Sequence, residues 1–348
     1  MSVSVHDHSV RPRFISTMTA QIAEFSDLLA PTPADVIDAA ERLRDIAIQT
    51  PLLQSERLNA LAGGTVLVKM ESLQRTGAFK FRGAYNSMSR LDRGRYPRGV
   101  LAYSTGNHGQ AVATVGKLLD IPVTVVMPSD APRIKMEKAR VQGATVVLYD
   151  RNTESREAIA ERLGASGGYA LIPPGDHPHV IAGQGTAVFE ALRALPADAI
   201  DVIVVPCGGG GLAAGSALAA DAVDSTAQLW AAEPERCDDT RRSLRSGTRE
   251  TNPPGATSLC DALLAPTPAV LPFSINRQRL SGVITADDAA VLTAMRILFE
   301  DFRVAVEPGG AIGVASLLAD PGMLGGRRAL VVASGGNVDP QLFIRAIA

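Results

Sequence analysis

Aromatic residues make up only 4% of the 348-residue chain, with a single tryptophan. So few stacking platforms argue against a protein that reads nucleic-acid bases. Neither sign of charge is in excess: 34 Lys and Arg face 36 Asp and Glu, for a net charge of −2. No basic face for nucleic acid or an anionic membrane is implied. Cysteine is scarce as well. Cys207, Cys237 and Cys260 stand far apart, odd in number and without a CxxC spacing, which speaks against a disulfide framework and a structural zinc site. No apolar run approaches the length of a membrane span. Residues 1–14 carry His6, His8, Arg11 and Arg13 and lack the apolar core of a secretory signal. Residues 1–30 are therefore expected to form a flexible extension of a cytoplasmic protein. Gly-Lys-Ser/Thr is missing too, which excludes a nucleotide-triphosphate loop.

What is present is a globular balance of 46% hydrophobic and 20% charged residues. The length suggests two α/β domains. Thr32-Pro33-Ala34-Asp35 has the form of a helix start, and Pro51 ends that helix. Strand patterns at 65–70, 100–103, 123–127 and 145–149 alternate with helical ones at 78–90, from after His108 to about 119, at 132–141 and at 154–163. The second half continues with a helix over 181–195, strands over 201–205, 228–232 and 329–333, and helices over 286–299 and 310–318. Residues 236–272 are polar and turn-rich, which predicts a surface excursion. Repeated βαβ units imply parallel sheets covered on both faces. The expected fold is α/β, with two parallel-sheet, three-layer domains: a small one over 99–176 and a large one from 31–98 joined to 177–348.

Four stretches could carry chemistry. In TGAFKFRGA (76–84), Lys80 lies between Phe79 and Phe81 with glycines on either side. An apolar sleeve lowers an amine's pKa and suits it to nucleophilic work, although a lysine alone is more often solvated. Gly208, Gly209, Gly210 and Gly211 follow an apolar strand and open a helix, a pattern that cradles phosphate. Gly208-x-Gly210-x-x-Ala213, with Glu233 near the end of the next strand, also fits a dinucleotide-binding turn, so an oxidoreductase is a rival. Ser104-Thr105-Gly106-Asn107-His108 is a second strand-to-helix turn, suited to a carboxylate. Ser334-Gly335-Gly336-Asn337 is a third. Ligands of open parallel sheets gather beyond the carboxyl ends of strands, so these stretches point to one cleft for a phosphorylated cofactor and a small carboxylate.

Together these residues resemble a known family. KMESLQRTGAFKFRGA at 69–84 is similar to the cofactor-lysine motif of the fold type II pyridoxal-phosphate enzymes. Among them it looks like the serine/threonine dehydratases (ammonia-lyases) and serine racemases, with 3-hydroxyaspartate dehydratases among the metal-site members. STGNHGQ at 104–110, IAGQGT at 181–186, CGGGG at 207–211, EPERCDD at 233–239, VEPGGA at 306–311 and SGGNVD at 334–339 extend the resemblance. It implies that Lys80 forms the Schiff base with pyridoxal 5'-phosphate, with Phe79 packed on the cofactor. It places glycines 208–211 on the phosphate, Asn107 on the cofactor hydroxyl, Ser334 at the ring nitrogen and Glu307 beside the cofactor. Ser104, Thr105, Asn107, His108 and Arg156 would serve the substrate, Ser104 and Thr105 in catalysis too. Glu233, the Cys237 carbonyl and Asp239 would hold a divalent cation, Mg2+ or else Ca2+ or Mn2+. A homodimer is implied as well.

The implied reaction removes water from a β-hydroxy amino acid. Serine at the ring nitrogen makes the ring a weaker electron sink than aspartate would, which favours prompt loss of the β-hydroxyl. Lys80 is the natural base for the Cα proton. Serine, threonine and 3-hydroxyaspartate are the candidate substrates. A second carboxylate would need a cation, with Arg75, Arg133 and Arg241 as candidates. Two departures bear on this reading. Racemising members carry serine where this chain has Thr105, a bulkier and stiffer residue that counts against racemisation. Gly175 stands where the family often has asparagine, which bears on substrate choice.

Overall fold

Thr32 opens the first described helix, Pro33–Leu43, and Asp35 accepts from both its N–H and its hydroxyl at 2.7 Å. That reciprocal arrangement, with Pro33 in the first turn, is the start written in the sequence. The computed structural model describes residues 29–348 apart from 104–105, 130–132, 151–152, 155 and 166. The side chains of 133–135, 138, 156, 157, 161 and 165 lie outside the description as well. Of the extension expected over 1–30, residues 1–28 lie outside the described residues.

The strands are β1 (Leu52–Gln54), β2 (Thr65–Lys69), β3 (Val100–Tyr103), β4 (Val123–Pro128), β5 (Thr145–Tyr149), β6 (Ala170–Leu171), β7 (Val202–Pro206), β8 (Gln228–Pro234), β9 (Leu280–Ala286) and β10 (Arg328–Val332). They form a six-stranded sheet in the order β1-β2-β10-β7-β8-β9 and a four-stranded sheet in the order β5-β4-β3-β6. Every pairing is parallel except β1 with β2. Apolar residues fill both faces of the larger sheet. On β10, Ala329 and Val331 join one core while Leu330 and Val332 join the other, which is why the strand reads as a continuous apolar run.

Sheet order decides what meets what. β10 lies between β2 and β7. The turn at Ser334 therefore emerges between the Lys80 stretch, which follows β2, and the glycine run, which follows β7. Helix Pro178–Arg193 joins the parts by close backbone crossings. A Cβ on Gly183 would meet Arg82 O at 2.6 Å, and one on Gly185 would meet Gly215 O at 2.3 Å. Only glycine permits both approaches.

Several expectations need correction. Helix 78–90 begins later, as Lys80–Met88, because Ala78 is drawn into a bridge with Gly335 and Thr76 (φ 64°) and Gly77 (φ 71°) reverse the chain before it. Helix 181–195 starts earlier, as Pro178–Arg193, and helix 286–299 runs as Asp288–Phe302. The surface excursion of 236–272 contains helix Asp239–Ser246 and buries Cys260 and Leu263. β9 carried no clear signal, since it is a half-buried edge strand broken by Gly282, on which the Trp230 ring lies.

Candidate active site

Lys80 opens helix Lys80–Met88 and reaches into a cavity of about 260 Å³ lined also by Phe79, Asn107, His108, Gly208, Gly210, Gly211, Glu307, Ser334 and Asn337. Its Nζ donates to the Pro174 carbonyl at 2.5 Å and lies 4.9 Å from the Phe79 ring centre. Desolvation pulls its pKa down from 10.5 to about 8, so a sizeable share of the amine is neutral in the physiological range. Two residues on, Arg82 enters a mostly buried charge cluster whose one partly exposed member is Glu190. Arg82 forks onto Glu71 at 2.7 and 2.8 Å and reaches Glu190 at 2.9 Å, while Lys69 bonds Glu190 at 2.5 Å and the Thr50 carbonyl at 2.7 Å. Two positive and two negative side chains thus form a neutral cluster that Arg82 joins to the lysine's helix.

The glycine turn does what its composition allows. Gly210 has φ +89°, a Cβ there would strike Asn276 Nδ2 at 2.7 Å, and helix Gly211–Asp221 starts directly after it. Free N–H groups of that first turn face the cavity and suit an anion. Across it, Asn107 Oδ1 accepts from Asn337 Nδ2 at 2.8 Å while Asn107 Nδ2 donates to Glu307 Oε1 at 2.6 Å. Asn337 Nδ2 also donates to the Thr76 carbonyl at 2.8 Å. Gly77 and Gly335 leave room for this: a Cβ would come within 2.9 Å of Asn337 Oδ1 at the first and 2.3 Å of Glu307 Oε1 at the second.

His108 is brought to the cavity but its ring is committed. Nε2 donates to the Ile172 carbonyl at 2.8 Å, and Nδ1 is buried without a hydrogen-bond partner. Burial, and secondarily the Lys80 charge, lower its pKa to about 3. A neutral ring with its only N–H engaged has no donor for a carboxylate. Binding there would come from backbone N–H groups at the start of helix Asn107–Leu119. Ser104 and Thr105 lie outside the described residues, as does the Arg156 side chain.

Glu233 and Asp239 are brought together, away from this cavity. Glu233 accepts from the N–H groups of Thr240 at 2.9 Å and Arg241 at 3.0 Å, capping helix Asp239–Ser246. Asp239 Oδ1 takes a bond from Asn252 at 2.7 Å, whereas its buried Oδ2 has no partner. Burial raises both acids, Glu233 to about 8 and Asp239 to about 6. An unpartnered buried carboxylate oxygen beside a second buried acid is a donor pair of the hard-oxygen kind that a divalent cation takes. Among the described residues, however, no three His, Cys, Asp or Glu side chains are grouped for a metal. Two of the arginines considered for a second substrate carboxylate are elsewhere. Arg75 donates to the Ile46 carbonyl at 2.5 Å, and Arg241 is held by Asp238 at 3.3 Å and Thr285 at 3.1 Å. The Arg133 side chain lies outside the described residues.

Site residues that motif reading left without a role are Asn337, Gln184 and the loop 261–265, which lines the cavity from within the supposed excursion. Asn337 and Gln184 sat inside recognised blocks, which was the available signal; the loop carried none.

The profile of the family described as pyridoxal-phosphate dependent enzyme matches residues 43–335. The chain belongs to this family. The L-threo-3-hydroxyaspartate ammonia-lyase of Saccharomyces cerevisiae is 40% identical over 322 residues, 92% of this chain and 98% of that protein. The protein of the same name from a Pseudomonas species is 42% identical over 309 residues, 89% and 96% of the two chains. The structure of maize serine racemase superposes with a TM-score of 0.85 at 35% identity, covering 92% and 97% of the chains. The family's cofactor fits what the cavity offers: a desolvated amine, a helix start free of side chains, and a buried hydroxyl at Ser334. The dinucleotide alternative falls away, because the Glu233 carboxylate is used on backbone N–H groups and is not at the cavity.

Among the described residues no helix is long and apolar enough to cross a membrane.

Proposed function

We propose that this pyridoxal-phosphate enzyme is an ammonia-lyase that removes water from a β-hydroxy amino acid, with 3-hydroxyaspartate as its preferred substrate and serine and threonine as the simpler alternatives. The observation that carries the reaction is Lys80: a desolvated amine, pKa about 8, at the mouth of a glycine-built anion cradle. The two relatives at 40% and 42% identity support the choice of substrate.

On this reading Lys80 anchors pyridoxal phosphate, Phe79 packs against it, and the backbone of glycines 208–211 holds its phosphate. Asn107, oriented by Asn337 and Glu307, meets its hydroxyl, and Ser334 faces its ring nitrogen. When bound, the cofactor supplies an electron sink for the Cα carbon. The start of helix Asn107–Leu119, with Ser104, Thr105 and Arg156, receives the substrate carboxylate. Lys80, as a free amine whose pKa is lowered to about 8 by desolvation, would take the Cα proton. Loss of the proton and the β-hydroxyl yields an enamine that tautomerises and hydrolyses to a 2-oxo acid and ammonia. Glu233, Asp239 and the Cys237 carbonyl would hold Mg2+, or Ca2+ or Mn2+, as a prop for helix Asp239–Ser246 rather than as part of the chemistry. The family resemblance supports a cytoplasmic homodimer, which light scattering of the purified protein would test.

The deciding assay measures ammonia release from both 3-hydroxyaspartate diastereomers, serine and threonine, alongside the optical rotation of recovered serine. Release from 3-hydroxyaspartate at the highest kcat/KM supports the proposal. Inversion of serine without ammonia would assign a racemase instead.

A further inference from the structure

The Pro174 carbonyl has two donors. Lys80 Nζ approaches it to 2.5 Å and Gln184 Nε2 to 2.9 Å. Pro173 and Pro174 have no N–H, so this stretch brings acceptors and no donors to the cavity wall. Gln184 is fully buried. It sits between Gly183 and Gly185, the two glycines through which its helix crosses helices Lys80–Met88 and Gly211–Asp221. Those crossings leave its amide little freedom. Its Oε1 has no hydrogen-bond partner and faces the phosphate turn, where a Cβ on Gly211 would meet it at 2.7 Å. The amide cannot simply turn over, since its oxygen would then face the Pro174 oxygen.

We propose that Gln184 is a positioning residue for Lys80: by competing for the Pro174 carbonyl it fixes where the free amine rests and weakens the hold of that carbonyl on the ammonium form. The two bonds to one oxygen keep the two nitrogens within about 5.4 Å of each other. The positive end of the amide dipole therefore faces the ammonium, which disfavours protonation. Desolvation acts in the same direction, as the depressed Lys80 pKa reflects. The other ionisable groups around the lysine begin with Tyr103, which lines the cavity from the end of β3. Neutral His108 faces the amine from helix Asn107–Leu119, Glu307 and Asp261 line the cavity, and Arg82, Glu71, Glu190 and Lys69 neutralise one another. This inference rests on Lys80 being the cofactor anchor.

The test uses the full chain freed of cofactor by dialysis against cysteine, then mixed with pyridoxal phosphate across a pH series. The visible band reports the neutral amine adding to the aldehyde with loss of water. Gln184→Met keeps the length and removes the amide. It is expected to raise the pH midpoint of coupling by about half a unit, since the carbonyl is left to the ammonium alone. Gln184→Glu puts a carboxylate near the amine and is expected to raise the midpoint by about 1–2 units. A glutamine that only fills space would lower the melting temperature of the Met variant and leave its midpoint unchanged, and that result overturns the proposal. The Glu variant shifts through its charge, and no shift there would put position 184 out of reach of the amine and overturn the proposal as well. If one variant does not fold, Gln184→Asn, which withdraws the amide by one methylene, takes its place with the expectation of the Met variant. Lys80→Ala separates the two readings: a band that persists there overturns the anchor assignment itself, whatever Gln184 does.

Discussion

A lysine amine held away from water costs stability while it is charged. Lys80 titrates near 8 in the folded chain against 10.5 when solvated. Between those values the unfolded chain binds the proton more tightly, so in the cofactor-free protein this residue's contribution to stability rises with pH across that window and its penalty is complete below it. Lys80→Met is accordingly expected to be more stable than the parent cofactor-free chain at pH 7, with the difference closing toward pH 10.5, as read by urea unfolding at several pH values. The same substitution abolishes the visible band and the ammonia release. At this scale the sequence was half informative: the stretch alone favoured a solvated lysine, and of the two phenylalanines beside it only Phe79 shelters the amine, while Phe81 packs into a separate core. The sequence could not show the Pro174 carbonyl, which is 94 residues away in the chain.

The element that carries Lys80 depends on the residues that pair with its Arg82. Arg82, Glu71 and Lys69 are buried and Glu190 joins them from a partly exposed position, so removing Arg82 strands Glu71. Arg82→Met leaves the fully buried Glu71 without its fork and is expected to destabilise the chain by about 3–5 kcal/mol in urea unfolding. Gly185→Ala places a methyl 2.3 Å from a backbone oxygen on helix Gly211–Asp221. It should cost about 1–3 kcal/mol and weaken cofactor binding in an equilibrium titration, because it pushes on the helix whose start forms the anion cradle. Helix Asp239–Ser246 offers a third test. If Glu233 and Asp239 hold a cation, EDTA lowers the melting temperature and Mg2+ restores it; a protein indifferent to both has no such site. Helix periods and caps predicted most elements to within a few residues. β1, β6, β9 and helices Glu56–Ala62, Asp239–Ser246 and Val270–Arg279 escaped; of these the edge strand β9 with Gly282 and the polar helix capped by Glu233 from β8 depend on partners that local pattern does not contain.

Across the whole molecule, two parallel sheets bring their strand ends to one cavity. The larger sheet gives Lys80, the glycine turn and Ser334, and the smaller gives the turn before Asn107. The residues that choose the substrate must lie where the two meet. Among the described residues lining that cavity, Lys80 is the one side chain of Lys or Arg type. On the proposal that 3-hydroxyaspartate is the substrate, its second carboxylate has to be met at the described part of this cavity by amides and backbone N–H groups. Arg156→Ala is expected to raise KM for 3-hydroxyaspartate and for serine alike, at least about tenfold, since both lose a partner of their α-carboxylate. A loss confined to 3-hydroxyaspartate would move Arg156 to the second carboxylate.

By itself the sequence determined the α/β class and the family. These are carried by residue types at fixed spacing: an apolar-flanked lysine, glycines after an apolar strand, and turns that open helices. Only the tertiary structure decided that β10 lies between β2 and β7, that Pro174 and Gln184 close on Lys80, that loop 261–265 reaches the cavity, and that Glu233 serves a helix start. Each of these is a contact between segments far apart in the chain. Such contacts are set by strand order and by how closely glycine lets two helices approach, and neither is written in any one stretch.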